Sequence, residues 1–199
     1  MKTNSILEKS KSYLKELTIV IAGVLIALFI SNQKENNQLR EYHIATIETI
    51  NNEVKANYFQ LKRVIGKHKR LIDSINKYSS ENITLTELIK EKGGGVQIAT
   101  LTQSGLEFYK KNQIFSIDLK MMSRLILMES ISKYIDSKMD KFSSFYAPNR
   151  FLNSEESKKL VILYLKNILN SEIQLMHTYE DFIDKYVEDE HNEKKNAPQ

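Results

Sequence analysis

Histidine, glutamate and asparagine are the residues with which this sequence could do chemistry, and their spacing decides how much. The four imidazoles are His43, His68, His177 and His191. Metal ligation from one helix needs two of them four apart with a carboxylate nearby, as in HExxH, and no pair has that spacing. Only a site assembled from separate helices would remain, so neither a metal nor a cofactor is expected. The absence of cysteine removes thiolate ligands, a cysteine nucleophile and disulfides together. Paired acids for hydrolysis, a Ser/His/Asp triad and a nucleophile elbow all lack support, so no catalytic residue is nominated and a non-enzyme is expected. Gly93, Gly94 and Gly95 suggest a phosphate loop, but no strand precedes them and no Lys-Ser/Thr ending follows. A flexible turn is the reading.

Asn57, His68 and Glu172 are more informative. Each occupies a slot that the surrounding apolar rhythm assigns to a core. A polar residue buried in a bundle must find a hydrogen-bond partner, and such a residue often fixes register. The plainest reading is partial exposure, because a small bundle rarely seals every layer. Register fixing and a ligand site are the alternatives.

Charge is unevenly placed. "LKRVIGKHKRLID" holds Lys62, Arg63, Lys67, Lys69 and Arg70, whereas the chain end holds Glu180, Asp181, Asp184, Glu188, Asp189, Glu190 and Glu193. The basic cluster has no interleaved aromatics and no known motif, so nucleic acid is not an expected partner. On a straight helix it lies ~50 Å from the apolar run described next, several Debye lengths from a lipid surface. Its complement is the acidic chain end, and this pairing predicts that the first and last helices run parallel.

The elements that must position these residues begin with "LTIVIAGVLIALFISNQKEN". From Leu17 to Ile30 only Thr18 is polar: Leu17, Ile19, Val20, Ile21, Ala22, Gly23, Val24, Leu25, Ile26, Ala27, Leu28, Phe29 and Ile30 cover every helical face. A soluble amphipathic helix would keep a polar stripe. The run is about 14 residues, roughly 21 Å as a helix, against a hydrocarbon core near 30 Å. Length alone leaves a signal peptide or a buried helix open, and the flanks decide. Tyr13 and Leu14 extend the apolar side, Lys15 can snorkel, and Ser31 and Asn32 suit the interface. Bulky Phe29 and Ile30 do not suit a signal-peptidase site. An uncleaved anchor over 17–32 is expected, so the lipid bilayer is the first expected partner. Lys2, Lys9, Lys11 and Lys15 precede it and only Lys34 and Arg40 closely follow. The positive-inside rule then places residues 1–16 in the cytoplasm and the C-terminal domain outside a bacterial inner membrane.

"KELTIVIAGVLIALFISNQKEN" resembles the start of a family of single-pass membrane proteins of Bacteroidota-type bacteria, a domain of unknown function. The pattern there is an acid, an apolar run with one Gly, and an exit "ALxINNWNE". Glu16, Gly23, Ala27, Leu28, Ile30, Asn32 and Glu35 match, with Gln33 where the family has Trp. "TLTQSG", with Thr100, Ser104 and Gly105, is similar to a second signature of that family. The resemblance implies an architecture and no activity.

Beyond the run, only 6 Gly and 2 Pro in 199 residues favour long helices. The expected fold is all-α: the anchor, then a long-helix antiparallel bundle with coiled-coil-like packing over 33–190 and a frayed tail, 191–199. Ile47, Ile50, Val54, Leu61, Val64, Leu71, Ile75 and Tyr78, with Asn57 and His68 in the intervening slots, step by three and four through a helix over 33–78, widened by Ile44, Tyr58, Ile65 and Ile72. In 79–115, Thr84 and Glu87 form a capping box for a short helix to about Glu91, and Thr100 caps another ending near Gly105. Ser116 caps a helix over 116–142 with Ile117, Met121, Leu125, Met128, Ile131, Ile135, Met139 and Phe142 inward. Its methionines fill core, or alternatively form a docking face. Pro148 makes "SSFYAPNRFLNS" a loop. Asn153 or Ser154 then caps a helix over 154–190 bearing Val161, Leu165, Ile168, Leu175, Tyr179, Phe182 and Tyr186.

The expected function is binding: an interaction or scaffold module joined to a protein partner or to a second copy. The alternative is a ligand-sensing bundle that signals through a partner membrane protein.

Overall fold

The computed structural model describes residues 3–112 and 118–188. It is all-α, with no strand among the described residues. The principal helices are α1 (Thr3–Lys77), α2 (Ser104–Asn112), α3 (Leu119–Asn149) and α4 (Glu155–Phe182), with π-wound turns at Glu87–Lys92 and Ile183–Glu188. Two compact units are present, Met1–Ala45 and Thr46–Gln199.

In the first unit α1 contains the apolar run. Its large side chains from Leu17 to Ile30 are all exposed, from 50 % at Ile21 to 67 % at Phe29. Among the described residues α1 is the helix long and apolar enough to cross a membrane, near the N-terminus.

The second unit is a bundle built on apolar stripes. Along α1, Ile50, Val54, Leu61, Val64, Leu71 and Ile75 are buried, joined by Ile65 and Ile72. Ile47, Tyr58 and Tyr78 are half-buried, and Ile44, expected to widen the stripe, is exposed. On α3 the inward stripe from Met121 to Phe142 is buried throughout, so Met121, Met128 and Met139 fill core rather than offer a docking face. Val161, Leu165, Ile168, Leu175, Tyr179 and Phe182 are its counterparts on α4.

Side-chain pairs fix the directions. Tyr58 Oη donates to Glu180 at 2.8 Å, His68 meets Glu172, and Lys158 Nζ donates to the Ser79 carbonyl at 3.0 Å. Residue numbers rise along α1 as they fall along α4, so these helices are antiparallel. The parallel placement expected from charge is overturned: apolar burial and connectivity outweigh exposed charges worth ~0–1 kcal/mol per pair. The cluster at 62–70 lies level with Glu172, and the acidic end begins about one turn beyond the cluster, where Glu180 meets Tyr58. Asp189, Glu190 and Glu193 lie outside the described residues. On the other side Arg124 pairs with Asp181 at 3.7 Å, Lys138 Nζ donates to Ser171 Oγ at 2.7 Å, and Phe145 stacks on Tyr164. Thus α3 is also antiparallel to α4, and therefore parallel to α1.

Parallel neighbours need a crossover that returns the chain to its starting end, and residues 78–103 run that way. Thr84 and Glu87 do form the capping box, with the Thr84 N–H donating to Glu87 Oε2 at 2.8 Å and the Glu87 N–H to Thr84 Oγ1 at 3.3 Å. The Thr84 N–H and the Thr84 hydroxyl, which also donates to Glu87 Oε2 at 2.8 Å, hold the Glu87 carboxyl below its ordinary value. The π-turn stops at Gly93, where a Cβ would lie 2.1 Å from Leu71 Cδ1. Gly94 and Gly95 then take φ of 75° and 83°, a region L side chains avoid. The chain next descends alongside α1 to Gln103. The short helix expected to end near Gly105 instead begins at Ser104, because its cap comes from α1 rather than from Thr100.

Helix α3 starts at Leu119 behind Asp118, whose carboxylate accepts from the Lys120 N–H at 3.2 Å. Ser116 and Ile117 lie outside the described residues. The helix continues through Pro148 to Asn149, where a loop was expected. Pro148 sits in the last turn, and the carbonyl its missing N–H would have bonded belongs to exposed Ser144. Asn149 Nδ2 donates to the Phe145 carbonyl at 2.7 Å and closes the end. Ser154 is the cap of α4, accepting from the Ser157 N–H at 3.2 Å, and Glu155 and Glu156 occupy the first turn. The two connections meet where the Leu85 and Thr86 N–H groups donate to the Leu152 and Arg150 carbonyls at 2.8 and 2.9 Å.

Candidate functional site

All three polar residues marked in the sequence are sealed in the bundle. Asn57, His68 and Glu172 are 3 %, 0 % and 2 % exposed, so partial exposure is overturned. His68 and Glu172 come together. Nδ1 of His68 and Oε2 of Glu172 share a hydrogen bond of 2.8 Å that ties α1 to α4. The other ring nitrogen, Nε2, is buried with no hydrogen-bond partner among the described residues. This is a histidine–carboxylate dyad in form. Both side chains are buried, and among the described residues no nucleophile shares their bonds.

Asn57 is not part of that pair. Its Nδ2 donates to the Thr102 carbonyl at 2.7 Å, and its Oδ1 accepts from the Thr102 N–H at 2.9 Å. One amide thus serves both backbone groups of a residue in the descending segment, which otherwise lacks secondary-structure partners. One turn earlier on α1, Glu53 completes the clamp. Its two carboxylate oxygens accept from the N–H groups of Ser104 and Gly105 at 2.9 and 3.0 Å, capping α2 from outside. Gly105 allows this approach, since a Cβ there would lie 2.7 Å from Ile50 Cγ1.

Between these levels lies a cavity of about 20 Å³ lined by Val54, Asn57, Thr102, Met128 and Tyr179, among others. Room for about one water molecule is its limit; ligand pockets run to roughly 300–1,000 Å³. Burial pushes the Tyr179 phenol up to about 12, against a smaller lowering by the Asn57 amide.

Two buried charges had not been singled out. Lys158 is 1 % exposed, with Nζ donating to the Ser79 and Glu81 carbonyls just beyond the C-terminus of α1. The sequence did hold a signal: three residues before Val161, position 158 continues the core rhythm of α4. Glu129 is held by Lys110 on α2 and by Lys133 at 2.8 Å, and these cations keep its carboxyl below the ordinary value of 4.5. No local pattern could have announced a bond from α2 to α3.

The remaining histidines lie apart. His177 Nδ1 is 2.9 Å from Glu180 Oε2 on the surface, His43 is half-buried in the first unit, and His191 lies outside the described residues. Hydrogen bonds from His177 and Tyr58 lower the Glu180 carboxyl. No group of three or more potential metal ligands gathers among the described residues. No family model, no curated protein and no solved structure matches the chain. The arrangement can therefore clamp helices and a crossover together: His68 meets Glu172, Asn57 and Glu53 hold crossover backbone, and His68 Nε2 and Tyr179 Oη have no hydrogen-bond partner among the described residues.

Proposed function

We propose that this chain is a single-pass membrane protein whose helical bundle acts by protein–protein association, as a scaffold or interaction module. One observation carries the reading: the apolar side chains from Leu17 to Ile30 are exposed all round their helix, while the bundle beyond Thr46 closes its own core. Lipid is the solvent that suits such a run, because water would be met by apolar surface on every side. The cations before the run place the N-terminus in the cytoplasm and the bundle in the extracytoplasmic space of a bacterial envelope. Kinship with the Bacteroidota family that Glu16, Gly23 and Asn32 suggest belongs to the same proposal.

The sealed polar interior supports binding through the surface. A ligand-sensing bundle would require a pocket between the helices, and the cavity at Asn57 and Tyr179 has room for about one water. Dose-dependent crosslinking in native membranes tests association. Defined adducts, homomeric or with a constant partner, support it, and monomers alone at every dose overturn it. A reporter fused after Gln199 reads orientation, and a cytoplasmic signal there would reverse the topology.

A further inference from the structure

We propose that the outward face of α1 between Lys62 and Arg70 is a docking surface for an acidic helix of a partner protein, centred on Gly66. This rests on the association reading and names the partner's chemistry. Val64, His68 and Leu71 mark the buried line of α1, and at 3.6 residues per turn Gly66 lies diametrically opposite. A Cβ added there meets nothing within 4 Å, so no packing among the described residues requires a glycine. Yet glycine is the poorest helix former after proline. What it leaves is half-buried helical backbone without a side chain, set among exposed ones.

That spot is framed on four sides. Lys62, Arg63, Lys69 and Arg70 stand at −4, −3, +3 and +4 from Gly66, the positions adjacent to it on a helix surface, and all four are exposed. Among the described residues none of the four makes an ion pair, although Asp73 is one turn from Lys69 and Arg70 and Glu180 is near Lys62. Lys62 donates to the Tyr58 hydroxyl at 3.3 Å, lies over the Tyr58 ring and feels the Glu180 carboxylate, so it is the best compensated of the four, while Arg63, Lys69 and Arg70 have no such neighbour among the described residues. Like charges three and four apart, such as Arg63, Lys67 and Arg70, weaken a helix. The face therefore works against α1 twice, through glycine and through repulsion, and among the described residues only Lys62, beside Tyr58 and Glu180, and Lys67, bonded to Gln97, find internal compensation.

An acidic helix would answer both features. Small residues at a crossing let two helix axes approach closely, and carboxylates three and four apart on the partner would then reach the framing cations. Phe59, seven residues before Gly66 on the same line and 63 % exposed, supplies an aromatic anchor at the edge. A polyanion such as nucleic acid needs the cations but not the glycine.

The test uses the full chain in phosphatidylcholine nanodiscs and a labelled helical peptide with Glu at three-four spacing and Ala between. Saturable binding is expected, weakened at least tenfold both by Gly66→Leu, which keeps every charge, and by Arg63→Glu with Lys69→Glu. Lys120→Glu, on α3, serves as the control and should bind as the unaltered chain does. Circular dichroism confirms that each variant is folded. The proposal is overturned if Gly66→Leu binds normally, or if duplex DNA of equal charge or anionic vesicles compete as well as unlabelled peptide. Crosslinking in membranes separates the two levels. Adducts without peptide binding sink this surface and leave association standing, and peptide binding by a chain that is always monomeric does the reverse.

Discussion

His68 and Glu172 lie 104 residues apart in sequence and share a hydrogen bond from which water is excluded. Removing one member strands the other in an apolar layer, where an unsatisfied polar group costs about 1–3 kcal/mol. Removing both leaves nothing to satisfy. The expected outcome is that His68→Leu and Glu172→Leu each lower stability by about that amount in urea unfolding, while the double variant recovers most of the loss. Additive losses would show that the two side chains act separately. Glu129 adds a pH dependence of known sign. Lys110 and Lys133 depress its folded-state value, so its contribution is present above the ordinary value of 4.5 and is lost as pH falls through the lower folded one. Glu129→Gln should therefore be less stable at neutral pH by up to about 1 kcal/mol, and the gap should close progressively below pH 4.5. A gap that stays constant down to acid unfolding would remove the carboxylate from the account.

At the scale of elements, the crossover is where local sequence and packing agree least. Gly93 ends the π-turn under Leu71, with the Ile89 carbonyl 2.9 Å from where a Cβ would stand. Gly93→Ala should destabilise the bundle by about 1–3 kcal/mol, the range for overpacking a buried site. Gly66→Ala should do the opposite and stabilise α1 by about 0.5–1 kcal/mol, because the site is open and helical. Thermal and chemical melts on both variants check the pair, and the contrast in sign is the expected result. The stripes of α1, α3 and α4 were legible because a three-four rhythm states which face each helix buries. The start of α2 was not, since its cap is Glu53, a residue 51 positions away with no local mark. The end of α3 was misjudged for a different reason. Proline excludes the helix interior, but Pro148 sits in a last turn whose carbonyl faces water.

Taken as a whole, the molecule joins an apolar run with every face exposed to a bundle that holds its own core. Residues 46–199 expressed alone should fold cooperatively and stay in solution without detergent, with a melting midpoint close to that of the bundle in the full chain. Detergent-dependent solubility of that fragment would mean that the second unit, too, relies on lipid. What the amino-acid sequence determined by itself was the class of fold, the apolar run, and most residues facing the bundle's interior. Burial follows from periodicity, and periodicity is local. The tertiary structure alone decided that α4 runs against α1, that Glu172 is the partner of His68, and that Asn57 grips the backbone of Thr102. An amphipathic stripe reads the same in either direction, so it cannot say which way its neighbour runs. Only the return of residues 78–103 along α1, locked by polar contacts between distant positions, removes that ambiguity.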